Sequence, residues 1–399
     1  LEKDCYLKAA VSPEVRGSIN TFFLRQKTNK ASTMIPADYN PKAIKKIGII
    51  GFGTMGIGIA ADILRHMRVP VVVKDNPQGL ANGRKALETM LNRLKAPAEE
   101  LMPLLIETTE YGAEFADVDL VIEAVFENLE LKHQIFMDLC AVVKQDCIIA
   151  SNTSTIPITR LAEKVTNPAR FVGAHFFSPV PWMELLEVIR GEQTGQDTIY
   201  DAIAFAAAIR KRPLVCNDSP GFVVNALLRP YFITTFELLE SGVPIPDIDG
   251  AMLSFGMPVG PIRLIEEVGI DVPYNSFKAS GLVPSKTLEN MVKAGRLGLK
   301  KSGKGFFLAD GSVDPDALPL IPGQNNQIKI PREEIQTKLF TAFVTEGDNL
   351  LQLKVIDSCE AVDMGAIWGL GFPSDKGGPM KWSDLTGLSE KLFNKRFYS

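Results

Sequence analysis

Residues 46–56 have the sequence KIGIIGFGTMG, an apolar run followed directly by a glycine-rich turn. The apolar run predicts a buried strand, and residues 57–67 have their apolar side chains on one face of a predicted helix. Between a strand and a helix, the spacing of Gly51, Gly53 and Gly56 is typical of a turn that binds the pyrophosphate of a dinucleotide. The free N–H groups at the start of the helix and the helix dipole favour an anion there. A glycine turn without a ligand is the alternative.

We therefore assign dinucleotide binding to the residues of this turn: Gly51, Gly53, Thr54, Met55 and Gly56. The next strand-like run ends at Lys74 and is followed by Asp75, at the distance from the turn where an acid binds the adenosine ribose. Because a carboxylate repels a 2′-phosphate, the sequence favours NAD over NADP. The adjacent Lys74 could weaken that preference.

Short apolar runs alternate with amphipathic stretches over residues 46–216. The strand-like runs are residues 47–51, 69–74, 118–124, 147–150, 171–174 and 212–216. Strands that alternate with helices predict a parallel, doubly wound sheet. We expect an α/β Rossmann-type parallel sheet domain over residues 46–216, followed by two related all-α domains.

Helical patterns dominate after residue 216 and contain an internal repeat. Each copy has an Asp, a Gly-x-Pro, a Gly-Pro pair, and a Gly nine residues after the start of that pair. The copies begin at Asp249 and Asp363. The repeat predicts two related helical domains, at residues 217–312 and 328–399. Residues 310–327 between them are rich in Pro, Gly, Asp and Asn, which predicts a linker.

Residues 1–45 precede this pattern and are expected to form a linker helix and an extension. Ser12-Pro13-Glu14 is a favourable helix start, because Ser caps free N–H groups, Pro suits the first turn and an acid suits the positive end of the dipole. The helix is expected to run to about Lys27.

The composition is ordinary for a globular protein. Of 399 residues, 46% are hydrophobic and 23% are charged, with a formal net charge of -4, so there is no basic surplus for nucleic acid or a membrane surface. The longest apolar stretch is interrupted by glycines and does not predict a membrane span. The five scattered cysteines favour free thiols over a disulfide framework or a zinc site. We expect a soluble, intracellular protein without a metal, nucleic-acid or membrane partner.

Three histidines occur in the chain: His66, His133 and His175. His66 is expected to be solvated or capping within a helix, and His133 to be exposed in a charged helix start. His175 ends a predicted strand, and ligands bind at the carboxyl ends of parallel strands. An imidazole that titrates near neutral pH suits removal of a hydroxyl proton during hydride transfer from an alcohol. A core histidine with satisfied hydrogen bonds is the alternative.

Several motifs resemble those of the (3S)-3-hydroxyacyl-CoA dehydrogenase family, in the family's order from about residue 45 to the end. They are AHFFSPVP (174–181), ELLEVI (184–189), DSPGFVVN (218–225), VIEAVFENL (121–129), SNTS (151–154) and KSGKGF (301–306). The resemblance implies an enzyme that oxidises 3-hydroxyacyl-CoA to 3-ketoacyl-CoA with NAD in fatty-acid β-oxidation. The acyl-CoA thioester is expected to bind between the sheet domain and the first helical domain.

The resemblance also implies the roles of active-site residues. His175 corresponds to the general base and Glu187 to the carboxylate that orients it, so a turn must bring Glu187 back. Asn225 corresponds to the amide beside the reacting oxygen, and Ser154 to the serine near that oxygen and the nicotinamide. The alternatives are a surface acid for Glu187, a helix or turn cap for Asn225, and a plain N-cap for Ser154. The family often has Arg where this chain has Ala226.

The same resemblance implies further cofactor contacts. They are Glu127, Lys132, Ser178 and, more loosely, Lys301. Ser178 stands where single-domain members often have Asn and multifunctional members also have Ser.

A second helical copy is a feature of the multifunctional enoyl-CoA hydratase/3-hydroxyacyl-CoA dehydrogenases. EVRGSINTFFLR (14–25) resembles their linker helix, and LGFP (370–373) with KGGPM (376–380) resembles their last domain, above all in the peroxisomal type 1 form. The resemblance implies a dehydrogenase part that is fused to a hydratase part in the full-length protein. It suggests a peroxisomal location, with mitochondrion and cytoplasm left open. Because single-domain members pair through the helical domain, we expect a monomer with an internal pseudo-dimer of helical domains.

Two other functions stay open at this point. One is another β-hydroxyacid dehydrogenase, although such enzymes place a lysine at the chemistry and their motifs are missing here. The other is a catalytically silent NAD-binding relative, similar to the lens crystallin that resembles this family. The presence of His175, Glu187, Asn225 and Ser154 favours an active enzyme.

Overall fold

The computed structural model describes residues 11–29 and 33–398. The predicted extension at residues 1–10, which includes Cys5, lies outside the described residues, as do residues 30–32. The chain divides into two compact units. The sheet unit comprises Phe22–Val223 and Lys354–Gly369. The helical unit comprises Val224–Leu353 and the described parts of residues 1–21 and 370–399.

The described chain forms one sheet of eight short strands. They are β1 (Ile47–Ile50), β2 (Val71–Lys74), β3 (Leu105–Thr108), β4 (Leu120–Glu123), β5 (Ile148–Ser151), β6 (Phe171–Phe176), β7 (Leu185–Arg190) and β8 (Arg212–Asn217). The helices up to residue 208 are α1 (Pro13–Asn29), α2 (Thr54–His66), α3 (Pro77–Arg93), α4 (Ala98–Leu101), α5 (Leu129–Cys140), α6 (Ile158–Ala162) and α7 (Gln196–Ala208). Six strands correspond to the predicted runs, whereas β3 and β7 were not predicted.

The strand order is β3-β2-β1-β4-β5-β6-β7-β8. All pairs from β3 to β6 are parallel, and the first six places have the order of a dinucleotide-binding Rossmann sheet. The predicted α/β fold is therefore confirmed. The predicted parallel arrangement holds for every strand pair except one, because β7 runs antiparallel to β6. Residues 177–184 join them without a crossover helix, and such a short connection joins antiparallel neighbours.

The strands are buried on both faces, which explains their continuous apolar sequence. Ile47, Val71 and Ile122 are fully buried and pack in one cluster with Ile59 of α2 and Leu87 of α3. This packing holds the carboxyl ends of the parallel strands along one edge of the sheet, where the glycine turn and His175 lie.

The remaining helices follow residue 223. They are α8 (Val224–Glu240), α9 (Ile245–Phe255), α10 (Pro261–Val268), α11 (Asp271–Ala279), α12 (Lys286–Lys293), α13 (Leu299–Ser302), α14 (Arg332–Gln352), α15 (Cys359–Leu370), α16 (Pro379–Thr386) and α17 (Leu388–Phe393). Within the helical unit, Tyr231 of α8 stacks on Phe343 of α14 with ring centroids 4.5 Å apart. In both copies of the repeat the Gly-Pro pair starts a helix, at Pro261 and at Pro379. Proline suits this place because its missing N–H would have no partner there.

Residues 310–327, predicted as a linker, pack within the helical unit. Asp314 forms a buried ion pair with Arg296. The side-chain amide of Gln324 donates to the carbonyl oxygens of Leu239 and Val243, at 2.9 and 3.0 Å. The segment predicted as a linker is thus anchored by two buried polar residues, while most of its other residues are exposed.

Residues 354–369, which the sequence analysis assigned to the second helical copy, group with the sheet unit. The backbone N–H of Asn217 donates to the Val355 carbonyl at 2.8 Å, and its side chain donates to the Lys354 carbonyl at 2.7 Å. The guanidinium of Arg212 lies 4.7 Å from the ring centroid of Trp368. The domain limits drawn from the sequence therefore stay a proposal.

The helix α1 begins at Pro13, as predicted, and continues to Asn29, slightly beyond the predicted end. Ser12 caps it, since its hydroxyl oxygen accepts a hydrogen bond from the Val15 N–H at 3.3 Å. In the part of the chain that the structure describes, no helix combines the length and hydropathy needed to cross a membrane.

Candidate active site

His175 and Glu187 face each other across β6 and β7. The antiparallel register places the two residues directly opposite each other. Nδ1 of His175 lies 2.6 Å from Oε2 of Glu187. The structure therefore contains the turn that the sequence required to bring Glu187 back to His175.

Both members of this pair are buried in an apolar site. Glu187 is fully buried and His175 is 6% exposed, so Glu187 is not a surface acid. The other carboxylate oxygen of Glu187 accepts the Val223 N–H at 3.0 Å. The imidazole packs on Phe177 and Phe222, with ring centroids 4.6 and 5.7 Å away.

This arrangement fixes both the orientation and the tautomer of the imidazole. When Nδ1–H donates to a carboxylate, Nε2 carries the free lone pair of the neutral ring and can take a proton. Within the described residues, Nε2 of His175 makes no hydrogen bond. His175 therefore has a base nitrogen to offer a ligand, unlike a core histidine with satisfied hydrogen bonds.

The glycine turn has the geometry that its sequence predicts. Gly51 has φ +93°, which residues with a side chain rarely adopt, and a Cβ on Gly56 would lie 2.0 Å from the Gly51 carbonyl oxygen. The helix α2 starts at Thr54 with Gly53 as its N-cap and without a side-chain cap. A Cβ on Gly53 would meet no atom within 4 Å. The backbone N–H groups here are open to a ligand, so the turn fits the pyrophosphate of NAD.

A groove of about 510 Å³ extends from this turn to the end of β2. Asp75 lines it, and the carboxylate is fixed from two sides. One oxygen accepts the Phe52 N–H at 2.7 Å, and the other accepts the Asn76 N–H at 2.7 Å. The second oxygen also accepts the side-chain amide of Asn76 at 3.0 Å, so the oxygen bonded to the Phe52 N–H is the one that retains a lone pair for a ribose hydroxyl.

Glu127 lies beside the loop that follows β5. Its Oε1 accepts hydrogen bonds from the Ser154 N–H at 2.8 Å, the Thr153 hydroxyl at 2.6 Å and the Thr155 N–H at 2.9 Å. Burial raises the pKa of Glu127, but the charge of Lys132 and these hydrogen bonds outweigh it, so the net pKa lies below its usual value. Glu127 is therefore a carboxylate at neutral pH.

Lys132 supports Glu127 from the protein interior. Its ammonium is fully buried and lies 2.6 Å from a Glu123 oxygen and 3.3 Å from a Glu127 oxygen. The buried Glu123 also accepts the Ser151 hydroxyl at 2.6 Å. Lys132 is thus engaged with carboxylates and not directed to solvent. Sequence reasoning missed Glu123, although its acid at the end of an apolar strand was a signal.

The four remaining predicted site residues lie outside the His175–Glu187 pair, on separate elements. Ser154 does not cap the next helix, because α6 starts at Ile158 with Pro157 as its N-cap. Asn225 is the second residue of α8, in the helical unit. Ser178 is exposed in the loop after β6. Lys301 is half-exposed in the helical unit, 2.5 Å from a carboxylate oxygen of Asp271.

The remaining histidines and the cysteines lie outside the His175–Glu187 pair. His66 ends α2, and burial lowers its pKa. His133 is half-buried and not fully exposed, with Nε2 2.8 Å from the Arg160 carbonyl oxygen. The cysteines of the described residues are free thiols: Cys140, Cys147, Cys216 and Cys359.

The sheet edge carries a turn that fits a dinucleotide and, on β6, an imidazole held by a carboxylate. These two features define an NAD-dependent dehydrogenase. Residues 46–219 match the family model described as 3-hydroxyacyl-CoA dehydrogenase, NAD binding domain. Residues 221–308 match that of the 3-hydroxyacyl-CoA dehydrogenase, C-terminal domain. The chain belongs to the 3-hydroxyacyl-CoA dehydrogenase family and is an NAD-dependent oxidoreductase.

Known proteins agree with this assignment. The fatty acid oxidation complex subunit alpha of Acinetobacter baumannii (strain SDF) is 36% identical over 418 residues, covering 98% of this chain and 57% of that protein. FadB2 of M. tuberculosis is 36% identical with a TM-score of 0.63, over 67% of this chain and 99% of that chain. The dehydrogenase part of multifunctional enzyme 1 from C. elegans shares the fold, with 23% identity and a TM-score of 0.65 over 95% and 94% of the two chains. This chain thus spans little more than half the length of the curated relatives it matches.

Proposed function

We propose that this protein oxidises (3S)-3-hydroxyacyl-CoA thioesters to 3-ketoacyl-CoA thioesters with NAD, as a step of fatty-acid β-oxidation. The observation that carries the proposal is the 2.6 Å contact between His175 and Glu187 at the sheet edge that bears the glycine turn. Family membership and the fatty acid oxidation complex named above support the substrate class.

In this proposal His175 is the general base. Its Nε2 takes the proton of the 3-hydroxyl group, and the imidazolium that forms is stabilised by the carboxylate of Glu187. The apolar surroundings of the pair strengthen that attraction because few waters screen it. The nicotinamide of bound NAD supplies the acceptor for the hydride from C3.

Two further residues are proposed at the substrate. The side-chain amide of Asn225 donates to the oxygen on C3 as it becomes a ketone, and the Ser154 hydroxyl lies near the same oxygen and the nicotinamide. The Ser154 N–H donates to Glu127, which fixes the backbone at Ser154 and supports its proposed role at the substrate oxygen.

The proposed contacts of NAD follow the sheet edge. The turn Gly51, Gly53, Thr54, Met55 and Gly56 would bind the pyrophosphate, and Asp75 the adenosine ribose. Glu127 would contact NAD near its nicotinamide end. Lys132 would act indirectly, through its ion pair with Glu127. Ser178 and Lys301 remain proposed contacts on the strength of the resemblance.

The test of this function is the rate of NADH consumption with acetoacetyl-CoA, measured on the purified chain. Turnover that depends on both compounds supports the proposal, and 3-hydroxyisobutyrate with NAD should give none. NADH binding without any turnover would instead favour a catalytically silent relative. Oxidation of 3-hydroxyisobutyrate would favour another β-hydroxyacid dehydrogenase.

Finer features of the whole protein are also proposals. The length of the fatty acid oxidation complex subunit supports fusion to an enoyl-CoA hydratase part. The repeated helical copies support a monomer, and a stable dimer in light scattering at micromolar concentration would contradict it. The curated relative named above is bacterial and lends no support to a peroxisomal location.

A further inference from the structure

Lys74 and Tyr111 meet at the end of β2, beside the groove that carries Asp75. Lys74 is the last residue of β2 and pairs in register with Thr108 of β3. Tyr111 follows three residues later, and its ring centroid lies 4.6 Å from the Lys74 ammonium. Both side chains line the groove.

The groove has one lining cation and one lining anion among the described residues, and they are neighbours in sequence. Lys74 is the last residue of β2 and Asp75 follows the strand, and no ion pair joins the two among the described residues. The carboxylate of Asp75 is fixed by the Phe52 and Asn76 N–H groups. Lys74 makes no ion pair within the described residues, so the face of Tyr111 is what holds its ammonium.

Tyr111 is suited to this task. Burial raises the pKa of its phenol, and the charges of Asp138 and Glu123 raise it further, so the ring stays neutral. Its ring also packs near Phe115, with centroids 6.1 Å apart, which restricts its movement. A neutral, half-buried ring attracts a lysine ammonium through its π face.

We propose that Tyr111 is a specificity-determining residue that keeps the Lys74 ammonium away from Asp75 and so makes the groove reject a 2′-phosphorylated dinucleotide. The proposal rests on the proposed use of NAD. A flexible lysine released from the ring would reach towards the ribose end of the groove. There it would offset the charge of Asp75 and attract a 2′-phosphate. Tyr111 acts through Lys74 and needs no contact with the dinucleotide itself.

The test is the ratio of the dissociation constants of NADPH and NADH, measured on the full chain by nicotinamide fluorescence without turnover. Tyr111→Ala should lower this ratio by about fivefold, chiefly by tighter NADPH binding. Tyr111→Leu keeps apolar volume without a π face and should behave in the same way if the alanine variant is poorly folded. Tyr111→Phe keeps the ring and should leave the ratio as in the wild type.

A double variant identifies the group responsible. Adding Lys74→Met to Tyr111→Ala should restore the wild-type ratio, because no cation is left to release. An unchanged ratio in Tyr111→Ala and Tyr111→Leu, or a changed ratio that Lys74→Met does not reverse, would overturn the role of Tyr111. Failure of the wild type to bind NADH at all would contradict the proposed function instead.

Discussion

Nδ1 of His175 lies 2.6 Å from Oε2 of Glu187, across a strand pair that places the two residues directly opposite each other. The pair depends on β7, the strand that turns back instead of crossing over. Two properties follow from this geometry: the imidazole cannot rotate freely, and its Nε2 is the nitrogen left for chemistry.

Glu187→Gln tests the carboxylate. A glutamine keeps the size of the side chain and can still accept the Val223 N–H, but its amide would donate to Nδ1 and leave Nε2 protonated. We expect kcat to fall on the order of 10²-fold or more, because ketone reduction needs the imidazolium to donate a proton and a neutral glutamine does not stabilise that cation. The measurement is steady-state NADH oxidation with acetoacetyl-CoA. A kcat within twofold of the wild type would contradict the orienting role, and a normal NADH dissociation constant is the control for folding.

Two glycines of the turn form a matched pair. A Cβ on Gly53 would meet nothing within 4 Å, so Gly53→Ala should leave the melting temperature unchanged. It should weaken NADH binding by roughly tenfold or more, because the methyl group would occupy the proposed phosphate position. A Cβ on Gly56 would lie 2.0 Å from the Gly51 carbonyl oxygen, so Gly56→Ala should lower the melting temperature as well. Thermal melts and NADH titrations distinguish the two. Equal NADH affinity in Gly53→Ala and the wild type would count against the pyrophosphate site.

The buried ion pair of Lys132 and Glu123 predicts a large stability effect. Lys132→Met leaves a fully buried carboxylate without its partner, which should cost about 3–5 kcal/mol of unfolding free energy. The added change Glu123→Gln should recover part of that loss. Lys300→Met is the control, because the ion pair of Lys300 with Glu267 is exposed and is worth about 1 kcal/mol or less. Urea unfolding measures the unfolding free energy of all three variants. Similar losses of unfolding free energy in Lys132→Met and Lys300→Met would contradict a special contribution of the buried ion pair to stability.

Asp249 predicts a pH dependence of stability. Burial raises its pKa to about 6, even though its carboxylate accepts the Ile262 and Arg263 N–H groups at the start of α10. A pKa above the unfolded value means that Asp249 contributes stability below about pH 4, and that this contribution is lost as the pH rises through 6. Relative to Asp249→Asn, the wild type should therefore lose on the order of 3 kcal/mol between pH 4 and pH 7. Urea unfolding of both proteins at several pH values measures this, and a pH-independent difference between them would contradict it.

The sequence was most informative where function depends on local order. The glycine turn and Asp75 directly follow a strand and His175 lies next to the end of one, so their places at one sheet edge could be predicted from the order of residues alone. The resemblance named the partner of His175, but local patterns do not predict that pairing, because nothing in the run Leu185–Ile189 indicates an antiparallel return. For the same reason β7 was not predicted, although its Glu187 lies opposite the buried His175.

Charged residues were harder to place than apolar ones. Lys132 stands in a charged helix start, which is typical of an exposed face, yet it is fully buried between two carboxylates. Its burial depends on Glu123, which is nine residues away in sequence. The polar residues Asp314 and Gln324 had the composition of a linker, and their partners lie far away along the chain. Pairings of this kind are set by tertiary structure and leave no local pattern.

The most direct measurement is the rate of NADH oxidation with acetoacetyl-CoA by wild type and His175→Gln, with NADH binding measured for both. If His175 is the base of the oxidation, it is the proton donor of this reverse reaction, and the variant binds NADH as the wild type does while its kcat falls by about 10²–10⁴-fold. Equal rates in the two proteins would contradict the central role of His175.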